Sequence, residues 1–144
     1  MKKEKSIYQV AREQSGLTQE KASELLNIAT ETIASYECGR RNIPDDIVVD
    51  MAELYDCPIL CYKHLRKKGT GKTLPEVDVT SLSHAVVMLL KNVDDVREQS
   101  NKMLNIAYDN IIDEEEFEEW HRVLNCINGL QKSCLTIQYC RGGY

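Results

Sequence analysis

The stretch "LTQEKASELLNIATETIASYECGRR", Leu17 to Arg41, sets the architecture of the N-terminal half. Thr18 stands ahead of Gln19-Glu20-Lys21 as a capping hydroxyl, without the acid that would complete a capping box at Lys21. Ala22, Leu25 and Leu26 follow at helical spacing as an inward face, and Ser23 is small enough to let a second helix cross closely. Asn27 ends the run, because its short polar side chain tolerates the left-handed backbone that a tight corner requires. Ile28 plugs that corner. A further helix then runs from Thr30 to Cys38, with Ile33 and Tyr36 inward, Thr30, Glu31, Thr32 and Ser35 outward, and Gly39 as its stop.

Upstream, "SIYQVAREQSG" supplies an earlier helix with Ser6 as N-cap, Ile7, Val10, Ala11 and Gln14 on one face, and Gly16 at the end. The composition agrees with helices. Of 144 residues 42% are hydrophobic, which excludes wholesale disorder, and one Phe, one Trp and three Pro leave little to build strands and tight turns. An all-α protein is expected. No apolar run reaches the length of a membrane span, and the Lys-rich start lacks the apolar stretch of a signal peptide, so a cytoplasmic protein with six reduced cysteines is expected.

Charge divides the chain. Residues 1–68 carry 11 Lys and Arg against 11 Asp and Glu, whereas residues 69–144 carry 7 against 12, so the whole net charge of −5 is C-terminal. Between them "KKGTGKTLPEVDVTS" mixes Gly, Thr, Lys and Pro without periodicity. The expected organisation is a domain over 1–67, a linker over 68–80 and a second domain over 81–144. Within the linker, "GTGKT" imitates the end of a phosphate-binding loop, but Arg66 occupies the position of the first glycine and no buried strand precedes it.

Taken together, Leu17-Thr18-Gln19, "ELLNI", Thr32-Ile33, Tyr36-Glu37, Gly39-Arg40-Arg41-Asn42, Pro44 and "MAELYDCPI" resemble the lambda-repressor-like helix-turn-helix regulators, the xenobiotic-response-element type. The resemblance spans about Ser6 to Leu65 and implies a five-helix domain. It also implies roles. Arg12 would pair with Glu37; Thr18, Gln19 and the amides beginning the second helix would hold a phosphate of double-stranded DNA; Thr30, Glu31, Thr32 and Ser35 would lie over base edges. Arg40, Arg41 and Asn42 would grip phosphates or enter a flanking minor groove. Two departures stand out: Ala29 replaces the usual Ser or Thr cap, removing about 1 kcal/mol unless Thr30 substitutes one residue later, and Glu31 with a net-neutral module weakens attraction to a polyanion.

Such a module needs a dimer, and the C-terminal region has the pattern for one. Leu82, Val86, Leu89, Val93, Val96, Ser100, Met103 and Ala107 alternate spacings of four and three, and Phe117, Trp120, Leu124, Ile127, Gln131 and Cys134 do the same. Asp113 and Glu116 form a capping box before the second run. A long antiparallel helical hairpin follows, with these two runs as its seam. Val87, Met88, Leu90, Ile106, Ile111, Ile112, Leu130 and Ile137 are left over as a sticky surface that a second hairpin would cover in a homodimeric four-helix bundle. Dimerisation is thus assigned to Leu82, Val86, Leu89, Val93, Val96, Met103, Phe117, Trp120, Leu124 and Ile127.

Other chemistry is thin. Cys57, Cys61 and His64 offer three ligands on one helical face where tetrahedral zinc wants four, Cys126, Cys134 and Cys140 belong to a helix that is acidic nearby and would be inert if buried, and His84 and His121 have no nucleophile or base arrangement around them. No enzyme, metal or cofactor is expected. Two functions compete: a homodimeric repressor on a pseudo-palindromic operator, encoded by a phage, a mobile element or a bacterial chromosome, and a protein-binding module such as an antitoxin or anti-repressor whose acidic hairpin holds a partner.

Overall fold

Each helix of the N-terminal half begins or ends on a residue suited to that place. In the computed structural model, which describes residues 4–140, α1 (Ile7–Gln14) is capped by Ser6, whose hydroxyl accepts from the Gln9 amide. Thr18 caps α2 (Gln19–Leu26) by accepting from the Lys21 amide at 3.1 Å. Asn27 at φ 52° and Gly39 at φ 71° turn the chain after α2 and after α3 (Thr30–Glu37). Then come α4 (Asp45–Leu54), α5 (Ile59–Lys67), a 3-10 turn (Gly69–Thr73), α6 (Leu82–Glu98), α7 (Ser100–Ile106) and α8 (Phe117–Tyr139). The described residues contain no strand. The fold is all-α.

The chain forms two compact units, Met1–Leu74 and Pro75–Tyr144. In the first, Ala22, Ile33, Val48, Met51 and Leu60 are essentially sealed from water, with Tyr8, Ala11, Tyr36, Ile43 and Tyr55 around them and Ile28 packed partly buried against them. Two inward faces differ from the spacing-based expectation. On α1 the buried side chains are Tyr8, Ala11 and Arg12, while Val10 and Gln14 face out; on α2 Leu25 is 51% exposed. On α1 the shift has a visible cause: Arg12 goes inward to meet Glu37, and the face turns with it. Residues 69–73, inside the stretch read as a linker, are ordered as the 3-10 turn, and a Cβ on Gly71 would overlap the Leu65 carbonyl, so that glycine lets the turn close on the end of α5.

The second unit is a helical hairpin, α6 against α8, with Lys132 beside Asp78 at one end and Lys102 beside Glu119 at the other, an antiparallel arrangement. Its seam is rotated by about one residue from the predicted one. Ala85, Leu89, Asn92, Val96 and Gln99 face Val123, Cys126, Leu130, Ser133 and Ile137 as the buried and half-buried stripes, with the Asn92 amide donating to Ser133. Leu82, Val86, Val93, Phe117, Leu124 and Ile127 are instead 37–66% exposed. Small residues explain the rotation: with Ala85, Gly129 and Ser133 between them the helices approach closely, whereas a Val–Leu seam would hold them apart. Ile106, expected on the outer surface, is 3% exposed, and Leu130 and Ile137 are half-buried. The first run is also not one helix, since it breaks at Gln99 between α6 and α7. Before α8, the Asp113 carboxylate accepts from the Glu116 amide at 2.9 Å and the Glu116 carboxylate from the Asp113 amide at 3.4 Å, a reciprocal box.

Candidate nucleic-acid interface

The core of the first unit is tied to its polar surface through a single carboxylate. Arg12 Nε donates to Glu37 Oε1 at 2.6 Å and Arg12 Nη2 to Glu37 Oε2 at 2.9 Å, a bidentate pair whose side chains are 7% and 3% exposed. Its Nη1 donates to the Leu17 carbonyl, which the left-handed Gly16 aims back at α1. Gln19 Nε2 donates to Glu37 Oε2 at 2.8 Å. One buried carboxylate thus gathers α1, the α1–α2 turn, α2 and α3. The hydrogen bond to Glu37 raises the Arg12 pKa further, against the opposing effect of burial.

A second tie joins the two helices directly, Ser23 Oγ to Thr30 Oγ1 at 2.8 Å. It decides how α3 begins. Thr30 does not cap the helix one residue late, because its hydroxyl is engaged with Ser23; Ala29 is the N-cap residue and makes no side-chain bond. The outward side of α3 therefore consists of Glu31, exposed, and Thr32 and Ser35, half-exposed, while Thr30 serves as a strut between helices. Beyond α3, Arg40, Arg41 and Asn42 are all exposed on the loop to α4, and the backbone amides of Arg40 and Arg41 both donate to the Ser35 carbonyl. Thr18 is exposed at the start of α2, and Gln19 is half-buried, its amide turned inward.

Residues 10–60 match the family model described as helix-turn-helix. That segment is a helix-turn-helix domain of the lambda-repressor-like type. The family is a DNA-binding regulatory one, so α2 and α3 are the pair that in such domains crosses the backbone and enters the major groove. The helix-turn-helix match covers about a third of the chain and ends before the hairpin, which matches no family. No curated protein and no solved structure matches the chain.

Several partners of the helix-turn-helix domain carry no sequence signal. The Tyr8 hydroxyl bonds His64 Nδ1 at 2.7 Å, and His64 Nε2 lies 3.1 Å from Asp45 Oδ1, which also receives Lys68 Nζ at 2.5 Å. In the tautomer that donates from Nε2 to the carboxylate, Nδ1 accepts from the Tyr8 hydroxyl. This chain links α1, α5 and the start of α4, and His64 is thereby used as a strut. Cys61 Sγ points at the Val48 carbonyl at 4.0 Å, burial pushes its thiol pKa up, and Cys57 packs against the core. Among the described residues no group of His, Cys, Asp and Glu is placed to hold a metal, and no helix is long and apolar enough to cross a membrane. In the core the Tyr55 hydroxyl is buried without a hydrogen-bond partner among the described residues, and burial, with Glu37 second, pushes its pKa to about 12.

In the hairpin Leu89, Val96, Met103 and Trp120 are half-buried, and the remaining residues assigned to dimerisation are exposed. Cys140 Sγ donates to the Thr80 carbonyl at 3.0 Å, and Cys134 is exposed.

Proposed function

We propose that the protein is a homodimeric, sequence-specific repressor that occludes a pseudo-palindromic operator, acting in the cytoplasm without catalysis or a cofactor. One observation carries the DNA half of this reading: α3 buries Ile33, Tyr36 and Glu37 while Glu31, Thr32, Ser35 and the following Arg40, Arg41 and Asn42 remain accessible and polar on one helix–loop segment. In this reading Thr32 methyl and hydroxyl and the Ser35 hydroxyl meet base edges, the Glu31 carboxylate accepts from a cytosine amino group, and Arg40 and Arg41 take phosphates. Thr18 and the free amides opening α2 hold another phosphate.

The dimer half rests on the hairpin. Val86 and Val93 lie one heptad apart and exposed on α6, and Leu124 and Ile127 are exposed on α8, a set that a second hairpin would cover as a four-helix bundle. Pairing makes the second half-site effectively intramolecular, which compensates for a reading module with no net charge. A second reading, a protein-binding module of the antitoxin or anti-repressor kind held through the acidic hairpin, is favoured by that neutrality and by Glu31.

Selection from random duplexes by the purified protein at physiological salt, with its mass measured in solution, separates the two. A two-fold symmetric site with half-sites about one helical turn apart is expected from a dimer. A folded dimer that enriches no sequence would sink the repressor reading and leave the protein partner.

A further inference from the structure

A cleft of about 870 Å³ opens in the first unit between the start of α1, the loop after α3 and the end of α5. Lys5, Arg41, Lys67 and Lys68 stand on its walls, with Tyr8 and His64 also lining it. Glu4 and Glu37 share the lining, the second already paired with Arg12, and Asp45 contacts Lys68 and His64 of the lining. Residues 1–68 balance 11 Lys and Arg against 11 Asp and Glu, so four cations on one cleft are a local excess of positive charge, and a concave wall focuses the field of such an excess within it.

The cations are available. The Arg41 guanidinium makes no hydrogen bond or ion pair among the described residues, and Lys67 Nζ rests only over the Tyr8 ring, 4.9 Å from its centroid. Lys68 and Lys5 reach Asp45 and Glu13, each pair at 2.5 Å, but at these exposed sites an ion pair contributes little and is readily exchanged. The Tyr8–His64–Asp45 chain links α1, α5 and the start of α4, and Tyr8 and His64 line the same cleft as these cations. Arg41 and Asn42 belong both to the cleft and to the loop beyond α3, which makes the cleft continuous with the DNA-reading surface.

We propose that this cleft is a second phosphate seat of the DNA-binding unit, in which Arg41 and Lys67, assisted by Lys68 and Lys5, hold backbone phosphates of the duplex outside the base pairs beneath α3. The proposal rests on the DNA reading above and extends its footprint. These interactions carry no sequence information; they add affinity on any duplex and steepen its salt dependence.

The test uses the full chain and a labelled random-sequence duplex of about 30 base pairs, titrated between about 50 and 200 mM salt. The double variant Lys67→Gln/Lys68→Gln should flatten the slope of log K against log salt by about one unit for each phosphate it no longer neutralises, and weaken binding on all duplexes alike. Lys72→Gln, exposed on the 3-10 turn and outside the cleft, should leave the slope unchanged. An unchanged slope in the double variant, with the wild type binding normally, overturns the cleft and leaves the DNA reading intact. Equal flattening by Lys72→Gln reduces the effect to general charge and overturns it too. If inorganic phosphate binds the wild type while the duplex slope is insensitive to the double variant, the seat belongs to a free anion and the proposal fails. If no duplex binds at low salt, the DNA reading fails and the proposal with it.

Discussion

The two units spend their apolar side chains in opposite ways. The first buries Ile33, Val48, Met51 and Leu60 almost completely and, among the described residues, leaves only Val10, Leu25, Val49 and Leu65 as large exposed apolar groups. The second has Val77, Ala85, Ile106 and Val123 buried, while fourteen large apolar side chains between Val79 and Ile127 stay exposed. A unit that hides its apolar surface internally stands on its own; one that does not requires a cover. Association is therefore to be sought on the second unit.

The self-sufficiency of the first unit is tested hardest at the buried ion pair. Arg12→Met leaves Glu37 charged and uncompensated inside the first unit, which should cost about 3–5 kcal/mol of that unit's stability in urea unfolding, and adding Glu37→Leu should recover most of it. A loss below about 1 kcal/mol would mean that Glu37 finds water, and that the first unit is looser than its packing indicates.

Next comes the hairpin surface. If the proposed homodimer forms through this surface, Val86→Glu with Val93→Glu should weaken it by at least about 100-fold, about 2.7 kcal/mol, in sedimentation equilibrium, while the first unit keeps its unfolding midpoint. An unchanged dimer would place the association on another face of the second unit.

Tyr55→Phe removes a buried hydroxyl that has no partner among the described residues and should stabilise the first unit by about 1 kcal/mol. It also has a pH signature. The folded pKa of Tyr55 is raised from 10.0 to about 12, so the neutral phenol's contribution is fully present below pH 10.0 and is lost as pH rises towards about 12. Tyr55→Phe should therefore lose less stability than the wild type across that alkaline window, and parallel losses would show that Tyr55 is hydrated. The smallest effect belongs to an apolar group the first unit can afford to expose: Leu25→Gln, at 51% exposure, should shift stability by less than about 0.5 kcal/mol and leave the mass in solution unaltered.

What can be read in the sequence follows the same division. The caps at Ser6 and Thr18, the left-handed Asn27 and the inward Ile33 and Tyr36 carry local signals, because each rests on a bond or backbone angle set within a few residues. Hydrophobic periodicity misplaces the face of α1 because it gives no weight to a buried Arg12, whose place is determined by a partner 25 residues away. In the hairpin it displaces the seam for a related reason: Ala85, Asn92, Gly129 and Ser133 are small or polar and carry little weight in a pattern of large apolar residues, yet Asn92 bonds Ser133 across the seam and a Cβ on Gly129 would meet the Asn92 side chain. The Ser23–Thr30 tie, the Tyr8–His64–Asp45 chain and the solitary Tyr55 hydroxyl depend on tertiary proximity alone and leave no trace in spacing.

The Gln19 amide bears on how this chain's descent would be judged. Because it donates to Glu37, replacement by Glu would set two carboxylates against each other at the edge of the core, and an apolar residue would strip a donor from a buried anion. Selection for a folded domain would therefore hold glutamine at this position even in a lineage that had stopped reading DNA. Persistence of Gln19 among descendants would testify to the fold, and on the proposed reading the record of lost or kept operators would be sought at Thr32, Ser35 and Arg41, whose side chains no such internal bond restrains among the described residues.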